Sequence, residues 1–381
     1  MIRTAAPLSA VLMWVASVCV ASLFVGGTHL PAQKKLRGFA KLVQNDPYTD
    51  KDPKAMKKLG VISYGPLTWA DNLRTPDIEK VIGENRVLWF ETEHFKVGCN
   101  LGVCTQPKDS VARKRVKAEM KLLNKRSRKI PASKSKLDPW LRAHLFALRA
   151  EQLYDEFAEL TGHAADDEGH LGQKEKFLLV LFQKKSDLAR YSKSFCGRES
   201  QNSQYFRHFA SGFYSVVMTA DGEDGPRDCE STYAQFRFFV AQMLLDAAGG
   251  ATPWLTYGLA HRYEREVPCN LINCGVRADE SVDPATQYEW PKKIAKRCRH
   301  ESLCMPFAKL CREHDLGYYG HLQSWARVDY LMQDRAKFAQ FLQMIVGNPT
   351  RQRHLQALAE VYDKEPEQFD EEWRKWALKH Y

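Results

Sequence analysis

The chain has 381 residues, enough for one large domain or two modest ones, and its hydrophobic content of 44% is ordinary for a globular core. One apolar run near the start is long enough to cross a bilayer and no second one follows, which excludes a polytopic membrane protein. The net charge of +10 is concentrated in one stretch without interleaved aromatic residues, so there is no strong nucleic-acid signal.

Met1-Ile-Arg-Thr is a short positive n-region, followed by an apolar run from Ala5 to Val25 and by small residues, with cleavage expected after Ala32 (Leu30 at −3). Residues 1–32 therefore read as a secretory signal peptide or, uncleaved, as an N-terminal membrane anchor. Either way the remainder is expected to be secreted, periplasmic or in the cell envelope. In that setting Cys99, Cys104, Cys196, Cys229, Cys269, Cys274, Cys298, Cys304 and Cys311 argue for disulfides. Cys99 with Cys104 and Cys269 with Cys274 are close enough to close small loops, and Cys196 with Cys229 flank a hairpin they could clip. Spacing alone does not decide the connectivity.

Residues 33–85 are polar, rich in Lys, Asp and Pro, and read as an N-terminal extension with short helices. Arg86 to Val97 alternates apolar and polar residues and reads as one strand, on which His94 is a surface or hydrogen-bonding histidine. A basic insertion spans 108–136, with twelve Lys/Arg against Asp109 and Glu119. Its densest cations are Arg113, Lys114, Arg115, Lys125, Arg126, Arg128 and Lys129. They suit an anionic partner such as a wall polymer or anionic lipid, or else form a solvated face. Asp138 as N-cap and Pro139 at the first position start a long helix that Gly162 stops. Lys176–Phe182 and Gly212–Thr219 read as strands, and a helix starts near Ser186. Two helices follow, at 231–247 and from Pro253 to Glu264. Residues 291–381 read as helical.

The two central helices carry the main argument. The first contains Phe238, Phe239 and Gln242; the second reads Pro253-Trp-Leu-Thr-Tyr-Gly-Leu-Ala-His-Arg-Tyr-Glu264. The second resembles the W-L-x-E-G-x-A-x-Y pattern of gluzincin-type metallopeptidases, in particular the peptidase-MA-like domains of secreted bacterial proteins. Glu91–Val97 is similar to that family's opening strand, Tyr319–Leu331 to the helix behind its cleft, and Glu365–Trp376 to its closing helix. The likeness spans about residues 86–381. It implies an α+β, gluzincin-like fold: a small mixed sheet, a two-helix active-site core within 86–290, and a helical C-terminal region from 291.

In that family the first helix carries H-E-x-x-H and the second a ligating glutamate. Here Phe238, Phe239, Gln242 and Tyr257 occupy those places, and no H-E-x-x-H occurs anywhere in the chain. A catalytic zinc takes three protein ligands and an open position for water. Phenylalanine offers no lone pair, an amide is a weak donor, and a tyrosine must first lose its proton. The resemblance thus implies a degenerate site without a metal cofactor, in a protein that binds a peptide or an envelope polymer. A working zinc hydrolase with a non-standard site is the alternative. Its candidates are His261, Glu264 and Tyr257, which share a helix face, or His300, Glu301 and Cys304, which mimic H-E-x-x-H with cysteine as the second ligand.

Overall fold

The computed structural model describes residues 40–70, 72–163, 169–208, 212–222, 225–269 and 289–381. The N-terminal apolar run and Cys274 lie outside the described residues. Among the described residues no helix is long and apolar enough to cross a membrane.

The chain is α+β, with one mixed six-stranded sheet. Its strands are β1 (Ser63–Tyr64), β2 (Leu88–Glu91), β3 (Phe95–Cys99), β4 (Phe177–Phe182), β5 (Gln204–His208) and β6 (Phe213–Thr219), in spatial order β1-β2-β3-β4-β6-β5. The β3–β4 and β4–β6 pairs are parallel; the other neighbours are antiparallel. Strand β4 reads Phe-Leu-Leu-Val-Leu-Phe and is buried throughout. Phe177, Leu179 and Leu181 enter the main core, while Leu178, Val180 and Phe182 enter a second core on the opposite face. The period of two in side-chain direction thus makes a continuous apolar run the mark of a strand covered on both sides.

Helices α1 (Thr75–Ile82) and α4 (Lys185–Phe195) cover the second face through Ile78, Ile82, Leu188 and Tyr191. The main face is covered by α3 (Pro139–Thr161) and α5 (Cys229–Ala247). The expected signals at the ends of α3 are present: the Asp138 carboxylate accepts from Leu141 N at 3.0 Å, and Gly162 takes a left-handed φ of 78°. After α6 (Pro253–Glu264), the described residues from 289 on carry the helices α7 (Trp290–Cys298), α8 (Gly317–Leu331), α9 (Arg335–Ile345), α10 (Arg351–Tyr362) and α11 (Pro366–His380).

Three expectations are corrected. The strand expected from Arg86 to Val97 is a hairpin, with Leu88 opposite Cys99 and Glu91 opposite Lys96. The polar triplet Thr92-Glu93-His94 makes the turn, closed by Thr92 N donating to Phe95 O at 2.8 Å. The stretch at 33–85 does contain short helices, but it also supplies edge strand β1 and a buried polar group. Asp46 accepts from Tyr64 OH (2.6 Å) and sits 2.9 Å from His144 Nε2 inside the core. The hydrogen bonds from His144 and Tyr64 hold the Asp46 carboxyl below its ordinary value against the opposing effect of burial.

The third correction concerns the cysteines. Among the described residues the disulfide joins Cys104 to Cys229, with Cα atoms 6.5 Å apart and a sequence separation of 125. Cys99 is a buried thiol and Cys196 is a half-buried one, so neither expected short-range pairing involving them forms. The bond ties the short strand Cys104–Thr105, which precedes α2 (Ser110–Arg126), to the start of α5. Closing so long a loop is expected to stabilise the fold by about 5 kcal/mol in the chain-entropy account. Urea midpoints with and without a reductant read this directly. A Cys104→Ser protein that unfolds at the same urea concentration as the oxidised wild type would show that the crosslink contributes nothing.

Candidate functional site

Helices α5 and α6 pack against each other beside edge strand β5 and enclose a cavity of about 550 Å³. Asp228 caps α5, its carboxylate accepting from Ser231 N at 2.7 Å, and Pro253 opens α6. All four positions read as replaced metal ligands, Phe238, Phe239, Gln242 and Tyr257, line this one cavity. Phe238 is buried and stacks on Tyr257, ring centroids 6.4 Å apart; Phe239 and Tyr257 are half-buried and face the opening.

The remaining wall is polar. Ser203 Oγ donates to Gln235 Oε1 (2.9 Å) and accepts from Thr219 N (3.0 Å), joining the ends of β5 and β6 to α5. Gln204 and Tyr205 contribute from β5, and Lys185, Arg198 and Arg227 stand on the rim with Asp221. Neither Ser203, Gln204 nor Tyr205 was singled out in sequence, because the segment before β6 lacks a clear alternation.

Zinc does not fit the four central positions. The Phe238 and Phe239 rings have no lone pair, and Gln242 Nε2 donates back to Phe238 O at 3.3 Å. Burial pushes the Tyr257 phenol above its ordinary value, which keeps its proton on.

Gly258 belongs to the same W-L-x-x-G stretch, and its role is packing. A Cβ there would stand 2.7 Å from both Ser324 O and Val328 Cγ2 of α8, so a glycine is what lets α6 and α8 meet.

His261 and Glu264 sit behind the cavity, fully buried, and do not line it. His261 Nδ1 lies 2.9 Å from Glu264 Oε2, and His261 Nε2 lies 3.1 Å from His321 Nδ1. With the carboxylate accepting, His261 donates from Nδ1 and accepts at Nε2, and His321 donates from Nδ1. The chain Glu264–His261–His321 is thus internally satisfied and enclosed by Phe238, Tyr257 and Trp290. Burial pushes both histidines down to about 3, holding them neutral. His321 went unnoticed in sequence. It lies in a stretch of α8 that is buried at every position from Gly320 to Val328, so no periodic contrast singles it out.

The second metal candidate does not converge. Glu301 is exposed and pairs with Arg374 at 3.3 Å, His300 is exposed, and the Cys304 thiol engages Cys298. Among the described residues, no three His, Cys, Asp or Glu side chains gather where they could share a metal ion.

The basic segment is sorted as well. Arg115, expected among the cations for an anionic partner, instead pairs with buried Glu230 and lies over the Tyr233 ring at 4.7 Å. Lys129 pairs with Asp50 at 2.5 Å, at an exposed site. No family model matches this chain, and no curated protein matches it.

Proposed function

We propose that this is an exported, catalytically inactive, gluzincin-like protein that binds an extended peptide in the cavity between α5, α6 and β5. One observation carries the reading. The four positions that the family resemblance matches to zinc ligands come together at a single open cavity, and they bring aromatic and amide groups to it. Its volume falls in the range of about 300–1,000 Å³ common for ligand sites. Among the described residues strand β5 lies at the end of the sheet order, the position at which an extended peptide can add as a further strand. The amides of Gln204, Gln235 and Gln242 suit a peptide backbone, and Phe239 and Tyr257 offer an apolar shelf for a side chain. The disulfide supports export, because such bonds persist in oxidising compartments.

The second reading, a hydrolase with a non-standard site, rests on Glu264–His261–His321. A carboxylate that orients an imidazole is the pattern of a general base. Its burial away from the cavity lining weighs against that role.

The test uses a fluorescein-labelled pool of random-sequence peptides, read by anisotropy and by mass spectrometry. Saturable binding without cleavage is expected, weakened about tenfold or more by Tyr257→Ala or Phe239→Ala, as for an aromatic anchor. Cleavage that survives Tyr257→Ala and disappears in His261→Gln would replace this reading with the second one. Absence of binding in the wild type would end both peptide-based readings.

A further inference from the structure

The basic segment presents two faces. Toward the protein, α2 buries Ala112, Val116, Met120 and Leu123. It is held there by Arg149, whose Nε and Nη2 donate to the Glu119 carboxylate at 3.1 and 2.6 Å. Away from the protein, Lys114, Lys117, Lys121 and Lys125 follow one another at three- and four-residue steps, all exposed. None of the four has a carboxylate partner among the described residues, whereas Arg115, Lys129 and Lys134 each do. Beside this row, on the same outer face, Val111 and Leu122 are 66% and 41% exposed, with exposed Ala118 between them at helical spacing.

We propose that this face of α2 docks on an anionic lipid surface. An interfacial helix needs two contributions: cations that reach headgroup phosphates, and apolar side chains that enter the boundary below them. The lysine row supplies the first over a helix about 25 Å long, and the Val111–Ala118–Leu122 flank supplies the second. Four like charges at successive turns repel one another unless a counter-charge covers them, and among the described residues none of the four lysines has a carboxylate partner. A nucleic-acid duplex would satisfy the lysines and leave Val111 and Leu122 without a role. The buried face and the Glu119–Arg149 pair keep the helix rigid, so the row meets a surface as a preformed strip.

The full chain is tested by lysine acylation footprinting, read by mass spectrometry at single residues. Vesicles of phosphatidylcholine alone control for insertion of the apolar run near the N-terminus. Vesicles of phosphatidylglycerol with phosphatidylcholine are expected to slow acylation of Lys114, Lys117, Lys121 and Lys125 severalfold. Exposed Lys193 and Lys379 should react as before. Phosphatidylcholine alone should protect nothing, and high salt should restore the reaction. The double variant Val111→Gln, Leu122→Gln should raise the vesicle concentration for half-protection about tenfold, in line with the loss of two partly buried apolar side chains. Both residues point outward, so the variant should keep its circular dichroism spectrum. Equal protection by neutral vesicles, or none by anionic ones, would overturn the proposal. So would stronger protection by duplex DNA that ignores the double variant, which would make the strip a general polyanion surface.

Discussion

Four substitutions together, Phe238→His, Phe239→Glu, Gln242→His and Tyr257→Glu, are expected to turn the cavity into a zinc site. Positions 238 and 242 are one helical turn apart on α5, and both side chains line the cavity. Position 257 on α6 faces them, the Tyr257 ring stacked against Phe238 with centroids 6.4 Å apart. That gap suits an ion held about 2 Å from each ligand atom. The quadruple variant should bind one zinc per chain with a dissociation constant below about 1 μM, whereas the natural chain should bind none there. Without metal the variant should be destabilised, because new imidazole and carboxylate groups would sit unpaired among buried rings. Zinc at about a thousandfold above the dissociation constant should return roughly 4 kcal/mol. Elemental analysis before and after chelation, with melting curves, reads both effects. A folded variant that takes up no zinc would show that these helices do not hold the metallopeptidase geometry, and the resemblance would fail with it.

Acid should unfold the protein well before its carboxylates are protonated. His261, His321 and His354 are buried and each pushed down to about 3 from an ordinary value of 6.5, with burial the largest cause. His354 makes a single bond to a hydroxyl, Thr252 Oγ1 at 2.9 Å, and stays neutral like the other two. A histidine depressed in the folded state binds a proton more readily when unfolded, so stability rises with pH across the window between the two values. The loss begins as pH falls below 6.5 and stops growing near 3. At about pH 5 it is roughly 2 kcal/mol for each histidine, or about 6 for the three together. Few domains hold a margin much larger than that, since total stabilities run from about 5 to 15 kcal/mol. The raised carboxyls of Asp246 and Glu230 act in the opposite direction in the lower part of this window and offset part of the loss there. Urea midpoints between about pH 7.5 and about pH 5 measure the total, and His354→Gln should remove about a third of the dependence. An unchanged pH dependence in that variant would mean that His354 is charged, or solvated, inside the fold.

Much of the secondary structure was legible because its causes are local. Asp138-Pro139 and Gly162 bound α3 through a side-chain cap and a left-handed glycine, both acting within a few residues. The run Phe177–Phe182 reads as a covered strand because six consecutive apolar residues need partners on both faces. The shared face of positions 238 and 242 was also legible, since helical spacing puts them one turn apart. The hairpin at Thr92–His94 was not, because a polar triplet fits an exposed stretch of strand as well as it fits a turn.

What the sequence determined by itself is the order and type of the main elements and the capacity of one helix pair to bring Phe238, Phe239, Gln242 and Tyr257 to a common site. What only the tertiary structure decided is everything that depends on distant chain segments meeting. The Cys104–Cys229 bond spans 125 residues, and several other cysteines were equally available by spacing. Glu264–His261–His321 joins α6 to α8, and only Gly258 brings those helices close enough for the two imidazoles to touch. Arg115 looked like its basic neighbours until Glu230, more than a hundred residues later, was placed beside it. Local caps and periodicities act over a turn or two of chain, whereas partner choice across the fold follows from packing, which no short window of sequence contains.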